Sequence, residues 1–251
     1  MCKYPFTFML HRKLHPGSTT YSKSIIFLLA TAIFIMRLHG TSSAQTSIDS
    51  SFANGHYMDR INFFSSLPSK PSPIIFLGNS ITEAGDWTDV LPGLPVANRG
   101  ISGDISFGVL ARYKDLLETS PEKIFLLIGV NDLKREIPIP LILKNYEKII
   151  RLTLSDKNTT KLYIQSVLPI NKELIPASFS KVTNENIKTL NHQLKKLTAS
   201  YPEVSYIDLW PVFEDETKNL KKNLTSDGIH LKPIAYYHWA QFLKENGLLT
   251  N

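Results

Sequence analysis

Residues 74–82 read Ile-Ile-Phe-Leu-Gly-Asn-Ser-Ile-Thr, a short apolar run that breaks directly into Gly78, Asn79 and Ser80. An apolar run of strand length that stops at a glycine is the mark of a core strand feeding a loop and a helix. The pattern recurs outward from here. Further strand candidates are Val96 to Asn98, Ile124 to Ile128, Leu162 to Val167 and Val204 to Ile207. Between them, apolar residues return at helical spacing: Ile105, Val109, Tyr113 and Leu116, then Ile142, Tyr146, Ile149 and Thr153, then Ile187, Leu190, Leu194 and Leu197. Pro233 stands where a last helix would begin, with Ala235, Trp239 and Phe242 on its inner side. Strand alternating with helix predicts an α/β fold, a parallel sheet with helices on both faces. An amphipathic stretch from Asn54 to Leu67 and the segment Pro-Ser-Lys-Pro-Ser-Pro precede the first strand. No repeat or second-domain linker is visible, so one domain is expected.

In such a sheet, ligands bind outside the carboxyl ends of the strands, where strand order reverses. Strand one leads into Gly78-Asn79-Ser80-Ile81-Thr82, strand two into Asn98-Arg99-Gly100-Ile101-Ser102-Gly103-Asp104, and strand three into Gly129-Val130-Asn131-Asp132. Asp227-Gly228-Ile229-His230 follows near the end. Taken singly, each block has a plain structural reading. Ser80 could cap a helix, Asp104 could cap the next one, and Asn131 or Asp132 could close a turn. Their joint placement after successive strands points to chemistry.

The formal charge is +6, but the first 44 residues hold five basic residues and no carboxylate. The remaining 207 carry 23 basic and 22 acidic side chains. A near-neutral field excludes nucleic acid or an anionic membrane surface as the evident partner. Within the leading segment, the apolar run Ile25 to Met36 and the small-residue site Ser42-Ser43-Ala44 have the layout of a signal peptide. Twelve apolar residues fall short of the roughly 18 to 20 that span a bilayer. Cleavage after Ala44, export to the periplasm or beyond, and no stable membrane anchor are the expectation. The only cysteine, Cys2, lies in that segment, so the mature chain has no disulfide or thiol chemistry.

The four blocks, in this order and spacing, resemble the SGNH hydrolases, also called the GDSL family of esterases and lipases. The likeness runs from Ile74 to about Leu243, and the Gly-Ile-Ser-Gly-Asp block is most similar to the platelet-activating factor acetylhydrolase-like and carbohydrate O-acetyl esterase branch. The resemblance implies a three-layer α/β/α, flavodoxin-like fold with a five-stranded parallel sheet. It implies Ser80 as nucleophile, His230 and Asp227 as the rest of a triad, and Gly103 and Asn131 as oxyanion donors beside the backbone of Ser80. No cofactor or metal is implied, and the substrate would be a small-molecule or glycan ester. One departure is Asn79, where the family name implies aspartate. The chemistry is coherent on its own terms. A serine hydroxyl needs an adjacent base, His230 can serve once a carboxylate orients it, and the tetrahedral oxyanion needs several fixed donors. Glycine at 103 would let the backbone approach without a Cβ in the way.

Other readings compete. A metal site on Asp227 and His230 lacks companions, since only His56, His192, His230 and His238 lie beyond residue 44 and no His-Glu-x-x-His pattern occurs. His192 and His238 read as packing or surface residues. A flavin or nucleotide carrier would want Gly-x-Gly-x-x-Gly or a P-loop after strand one, and neither is there. Ser120 to Lys123 and Ser178 to Lys181 fit Ser-x-x-Lys without its companion motifs. Lipid esters, and a non-catalytic glycan-binding relative, are the alternatives to a short-chain carbohydrate esterase. Trp87, Trp210 and Trp239 read first as core, with a sugar platform as the alternative and Trp87 the best placed of the three for it, and Arg99 adjoins the second block. Residues 169–181, long and mixed in polarity, are expected to border the site. Asn158-Thr159-Thr160 and Asn223-Leu224-Thr225 match glycosylation sequons.

Overall fold

The computed structural model describes residues 48–249, apart from 69, 70, 72 and 158. The expected signal peptide and Asn158 lie outside the described residues. Helix α1 (Gly55–Ser66) opens on Asn54, whose side chain accepts from the Tyr57 N–H at 2.9 Å. The wholly buried strand β1 (Ile74–Gly78) follows, then the short helices α2 (Ser80–Glu83) and α3 (Trp87–Val90), and β2 (Val96–Gly100). Helices α4 (Ser106–Ala111) and α5 (Tyr113–Leu117) lead to β3 (Lys123–Leu127), and α6 (Val130–Lys134) and α7 (Ile139–Ser155) to β4 (Lys161–Gln165). Helix α8 (Asn184–Thr198) precedes β5 (Val204–Ile207), and α9 (Trp210–Phe213) and α10 (Pro233–Glu245) complete the chain.

All five strands are parallel, in the order β2-β1-β3-β4-β5. From β1 the chain turns one way to β2, then crosses back to β3 and onward. A right-handed crossover therefore puts α3 on one face with α10, and α4, α7 and α8 on the other. The result is a three-layer α/β/α sandwich whose order reverses beside β1. Gly78 pairs with Gly100 on one side and Leu127 on the other, so the carboxyl ends of β1, β2 and β3 are level. The loops that follow them share one edge.

The apolar stripes read from the sequence face the sheet: Ile142, Tyr146, Ile149 and Thr153 are buried on α7, and Ile187, Leu190 and Leu194 on α8. Helix α8 starts on a capping box between Thr183 and Asn186. The helix expected to run from Ile105 to Leu116 is broken at Arg112. Its guanidinium turns back to bond Arg99 O at 2.8 Å and Gly78 O at 3.2 Å.

The tryptophans bear out the core reading: all three are buried. Trp87 is only 2% exposed and stacks on Phe76 at 3.7 Å between ring centres, while its indole N–H donates to Thr82 O at 2.9 Å. Phe76 stacks in turn on Phe125, and Phe125 on Tyr163, a row of rings along paired strand positions. Trp239 meets Trp87 edge-on at 5.0 Å. Trp87 is core and leaves no ring face open to a sugar. Truncating it would cost about 3–5 kcal/mol.

Candidate active site

Ser80 opens α2 at the end of β1, and His230 sits on the loop before α10. Across 150 residues of chain, Ser80 Oγ lies 3.0 Å from His230 Nε2. His230 Nδ1 is 2.6 Å from Asp227 Oδ2, and Asp227 Oδ1 accepts the backbone N–H of His230 at 2.8 Å and of Ile229 at 3.0 Å. A ring nitrogen against a carboxylate carries its proton, which leaves the Nε2 lone pair facing the serine hydroxyl. Partial burial raises the Asp227 pKa, but the bonds from the His230 ring and from the two backbone amides outweigh it and hold the carboxyl below its ordinary range. Thr225 Oγ donates to His230 O at 2.7 Å and accepts from Gly228 N at 2.9 Å, so the loop is braced internally. Segment 169–181 does border this loop: Asn171 N donates to Gly228 O at 2.8 Å.

Gly103 lies on the loop after β2, and Asn131 in the first turn of α6, which follows β3. Asn131 Nδ2 donates one hydrogen to Asp104 O at 2.9 Å, which ties it to the residue after Gly103. Gly103 has φ +81°, and no atom lies within 4 Å of where its Cβ would stand. The left-handed backbone here is itself a reason for glycine, and among the described residues nothing crowds the position. Asp104 bonds the adjacent Ile105 N–H, but its Oδ2 goes to Arg112, at 2.9 Å from Nη2 and 3.2 Å from Nε. The first-turn N–H of α4 is instead taken by Asp132, whose two oxygens each lie 3.1 Å from Ser106 N. Ser106 Oγ donates to Asp132 at 2.6 Å and accepts from Asn145 Nδ2 at 2.9 Å. Burial pushes the Asp132 carboxyl up to about 6 against these bonds. Asn79 retains the capping role at the start of α2, its Oδ1 accepting from Ile81 N at 3.0 Å, while its buried Nδ2 has no hydrogen-bond partner.

Several residues of the site environment escaped the sequence reading: Glu83, Ser106, Arg112 and Asn145. A signal for Asn145 was present, an amide inside the apolar stripe between Ile142 and Ile149. His192 and His238 are exposed, and neither bonds the triad. Lys123 pairs with Glu122 at the amino end of β3 and Lys181 with Glu136, so neither Ser-x-x-Lys match converges on Ser80. Among the described residues, no group of three or more His, Cys, Asp or Glu side chains is placed to hold a metal, and no helix is long and apolar enough to cross a membrane.

The family model of the GDSL-like lipase/acylhydrolase family matches residues 76–237, a stretch that holds all four blocks. The chain belongs to this family. It is a carboxylic ester hydrolase, a GDSL-type enzyme on the three-layer SGNH scaffold. It is 25% identical over 187 residues to an arylesterase of Vibrio mimicus, a match that covers 68% of this chain and 86% of the relative. Among solved structures it is similar to a protein of Streptococcus pneumonia provisionally assigned as a platelet activating factor, at 24% identity and a TM-score of 0.68, over 90% of this chain and 98% of that one. An acetylxylan esterase of Geobacillus stearothermophilus matches at 21% identity and a TM-score of 0.52, over 72% of this GDSL-type chain and 96% of that one. At such identities these two likenesses are of fold.

Proposed function

We propose that this chain is an exported serine esterase that removes short acyl groups, acetyl above all, from carbohydrates through an acyl-Ser80 intermediate. The observation that carries the mechanism is the relay Ser80 Oγ to His230 Nε2 at 3.0 Å and His230 Nδ1 to Asp227 Oδ2 at 2.6 Å. His230 takes the hydroxyl proton as Oγ bonds to the carbonyl carbon, and the carbonyl electron pair moves onto oxygen. The backbone N–H groups of Ser80 and Gly103, with the second hydrogen of Asn131 Nδ2, meet that charge. Collapse expels the alcohol, which takes the proton from His230. Water, deprotonated by the same ring, then adds to the acyl carbon, and collapse breaks the bond to Ser80 Oγ, which takes the proton back from His230 as the acid leaves.

Short-chain preference is supported by the make-up of segment 169–181. Its Ile170 and Phe179 are turned into the core, Asn171 is spent on backbone bonds, and the exposed Leu174 stands among Lys172, Glu173 and Ser180, so the segment forms no continuous apolar flap for a long acyl chain. A recess of about 340 Å³ lined by Phe63, Phe64 and Leu67 lies along β2 and includes none of the triad residues. The acetylxylan esterase likeness points the same way for the alcohol. Export rests on the basic lead, the apolar run Ile25 to Met36 and the Ser-x-Ala site. The exposed Met58, Phe63 and Leu67 on and beside α1 favour a lipid ester as the second reading.

One ester series with a common leaving group, from acetyl to dodecanoyl and below micelle-forming concentrations, tests the acyl preference. Acetylated xylan against a phospholipid tests the alcohol. We expect kcat/KM to fall from acetyl and butyryl to octanoyl and longer chains. A rate that climbs through eight carbons would replace this reading with a lipid esterase. An intact mass beginning at Gln45 tests export.

A further inference from the structure

The oxyanion loop is fastened to the nucleophile helix by a carboxylate that the reaction scheme does not use. Glu83 ends α2, three residues after Ser80. Its Oε2 accepts both the backbone N–H and the hydroxyl of Ser102, each at 2.5 Å. His56 Nε2 lies 3.1 Å from the same oxygen, and Arg60 Nε lies 3.1 Å from Oε1, near enough for ion pairing though off-line for a hydrogen bond. His56 and Arg60 are one helical turn apart on α1, so one face of that helix covers the carboxylate. Partial burial raises the Glu83 pKa, yet the Ser102 bonds, His56 and Arg60 prevail and keep it below the usual range.

The other end of the loop is held by the same short helix. Asn98 Nδ2 donates to Glu83 O at 2.9 Å and to Gly85 O at 3.1 Å, and Asn98 Oδ1 accepts from Gly100 N at 2.9 Å. A Cβ on Gly100 would stand 2.1 Å from Glu83 N, so glycine is what lets β2 end against α2. Residues 98 to 102 are thus bound to α2 at both ends. Ser102 and Gly103 are themselves exposed, and among the described residues Glu83 supplies the one side-chain acceptor bonded to Ser102. Helix α1 is anchored in turn by buried Tyr57, whose hydroxyl donates to Gly108 O at 2.9 Å.

We propose that Glu83 is a positioning residue for the oxyanion hole, fixing the peptide between Ser102 and Gly103 against the nucleophile helix, and that α1 completes the site by holding this carboxylate with His56 and Arg60. The inference rests on Gly103 and Asn131 acting as oxyanion donors. Helix α1 lies upstream of residues 76–237, the stretch that the family model matches. A loosened donor weakens charge stabilisation in the transition state more than substrate binding, and displacements near 1 Å can cost about 10² in rate.

The test compares an ester with its thionoester, whose sulfur accepts hydrogen bonds poorly, in wild type, Glu83→Ala, Glu83→Gln, Arg60→Met and Asn131→Ala. Glu83→Ala should lower kcat for the oxygen ester by about 10- to 100-fold with KM within about threefold, and should lower the oxygen-to-thiono rate ratio. Glu83→Gln keeps an acceptor and should fall between, and Arg60→Met should move both readouts in the same direction by a smaller factor. If Glu83→Ala does not fold, the other two variants carry the test. A loss of folded protein alone would lower both rates equally and leave the ratio unchanged. A ratio moved by Asn131→Ala but not by the Glu83 or Arg60 variants would overturn this proposal. A ratio unmoved even by Asn131→Ala would overturn the oxyanion assignment itself.

Discussion

Asp227 and His230 stand three residues apart on one loop, with side chains 40% and 42% exposed, whereas Gly103 comes from the loop after β2 and Asn131 from the first turn of α6, and both rest on a floor closed to water. On the base side, the chain supplies its own bracing: backbone amides to Asp227, and Thr225 to both sides of the turn. On the oxyanion side, the bracing is distant. Asp132 receives Ser106 from 26 residues away, Ser106 receives Asn145 from 39 away, and Arg112 joins Asp104 to the ends of β1 and β2. A half-exposed ion pair contributes little to stability, so the base loop can be optimised for chemistry at small cost to the fold. The buried network cannot, because each of its polar groups loses water and must keep its partner. One side of the site is therefore structurally cheap, while the other is tied into the buried fold.

The largest expected effects belong to the exposed half. Ser80→Ala or His230→Ala should reduce kcat by about 10⁴ or more while shifting the melting temperature little, read by steady-state kinetics and thermal denaturation of the same preparations. Asn131→Ala should cost about 10² to 10³ in kcat with a small change in KM, because its free hydrogen acts mainly on the developing charge. Unchanged kcat would leave Asn131 with only its bond to Asp104. A melting temperature that fell as steeply for His230→Ala as for a floor residue would break the contrast between the two halves.

The floor should answer to pH. Asp132 has its carboxyl raised to about 6, above its unfolded value near 4, so the folded state binds a proton there that the unfolded state has already released. Stability from this group is intact below pH 4 and is lost as pH rises toward 6, at up to about 1.4 kcal/mol per unit. Asp132→Asn should remove that slope. Urea unfolding at pH 4, 5, 6 and 7 for both proteins measures it, and parallel curves would contradict the assignment. Ser106→Ala leaves Asp132 short of a donor and Asn145 short of an acceptor, and should cost about 1–3 kcal/mol while kcat falls less than tenfold.

The same contrast explains what the sequence disclosed. Strands, the long helices and the four blocks were legible, because each apolar run ends directly in its functional loop and each helix keeps its period. The base loop was legible for the same local reason. Asp132 and Asp104 invited local readings, a turn and a cap, since their partners Ser106 and Arg112 are brought to them only by the sheet order. Trp87 was ambiguous because proximity in sequence to Ser80 says nothing about which face of the sheet receives the ring. Glu83 was unreadable until α1, β2 and α2 stood together.

The smallest effect is expected at Asn79, and it sharpens the comparison because this residue touches both halves of the chemistry through α2. Its Oδ1 holds the Ile81 N–H, and its Nδ2 is a buried donor with no partner. Asn79→Asp keeps the capping oxygen and, while the new carboxyl is neutral, replaces the unpaired amide NH2 with a single O–H donor, so stability should change by less than about 1 kcal/mol. Once ionised, that carboxylate sits in a fully buried position with one backbone donor in view, and desolvation raises its pKa above the unfolded value. The variant should therefore be close to the wild type in stability at pH 5 and lose ground to it by pH 8. Turnover at pH 7 should stay within about threefold, since the cap that positions Ser80 survives in either form. Paired denaturation curves at the two pH values, with kcat/KM on an acetyl ester, read both effects. A loss of tenfold or more with the melting curve unmoved would mean that the Asn79 amide itself meets the substrate, and the oxyanion hole would then need a further donor in its description.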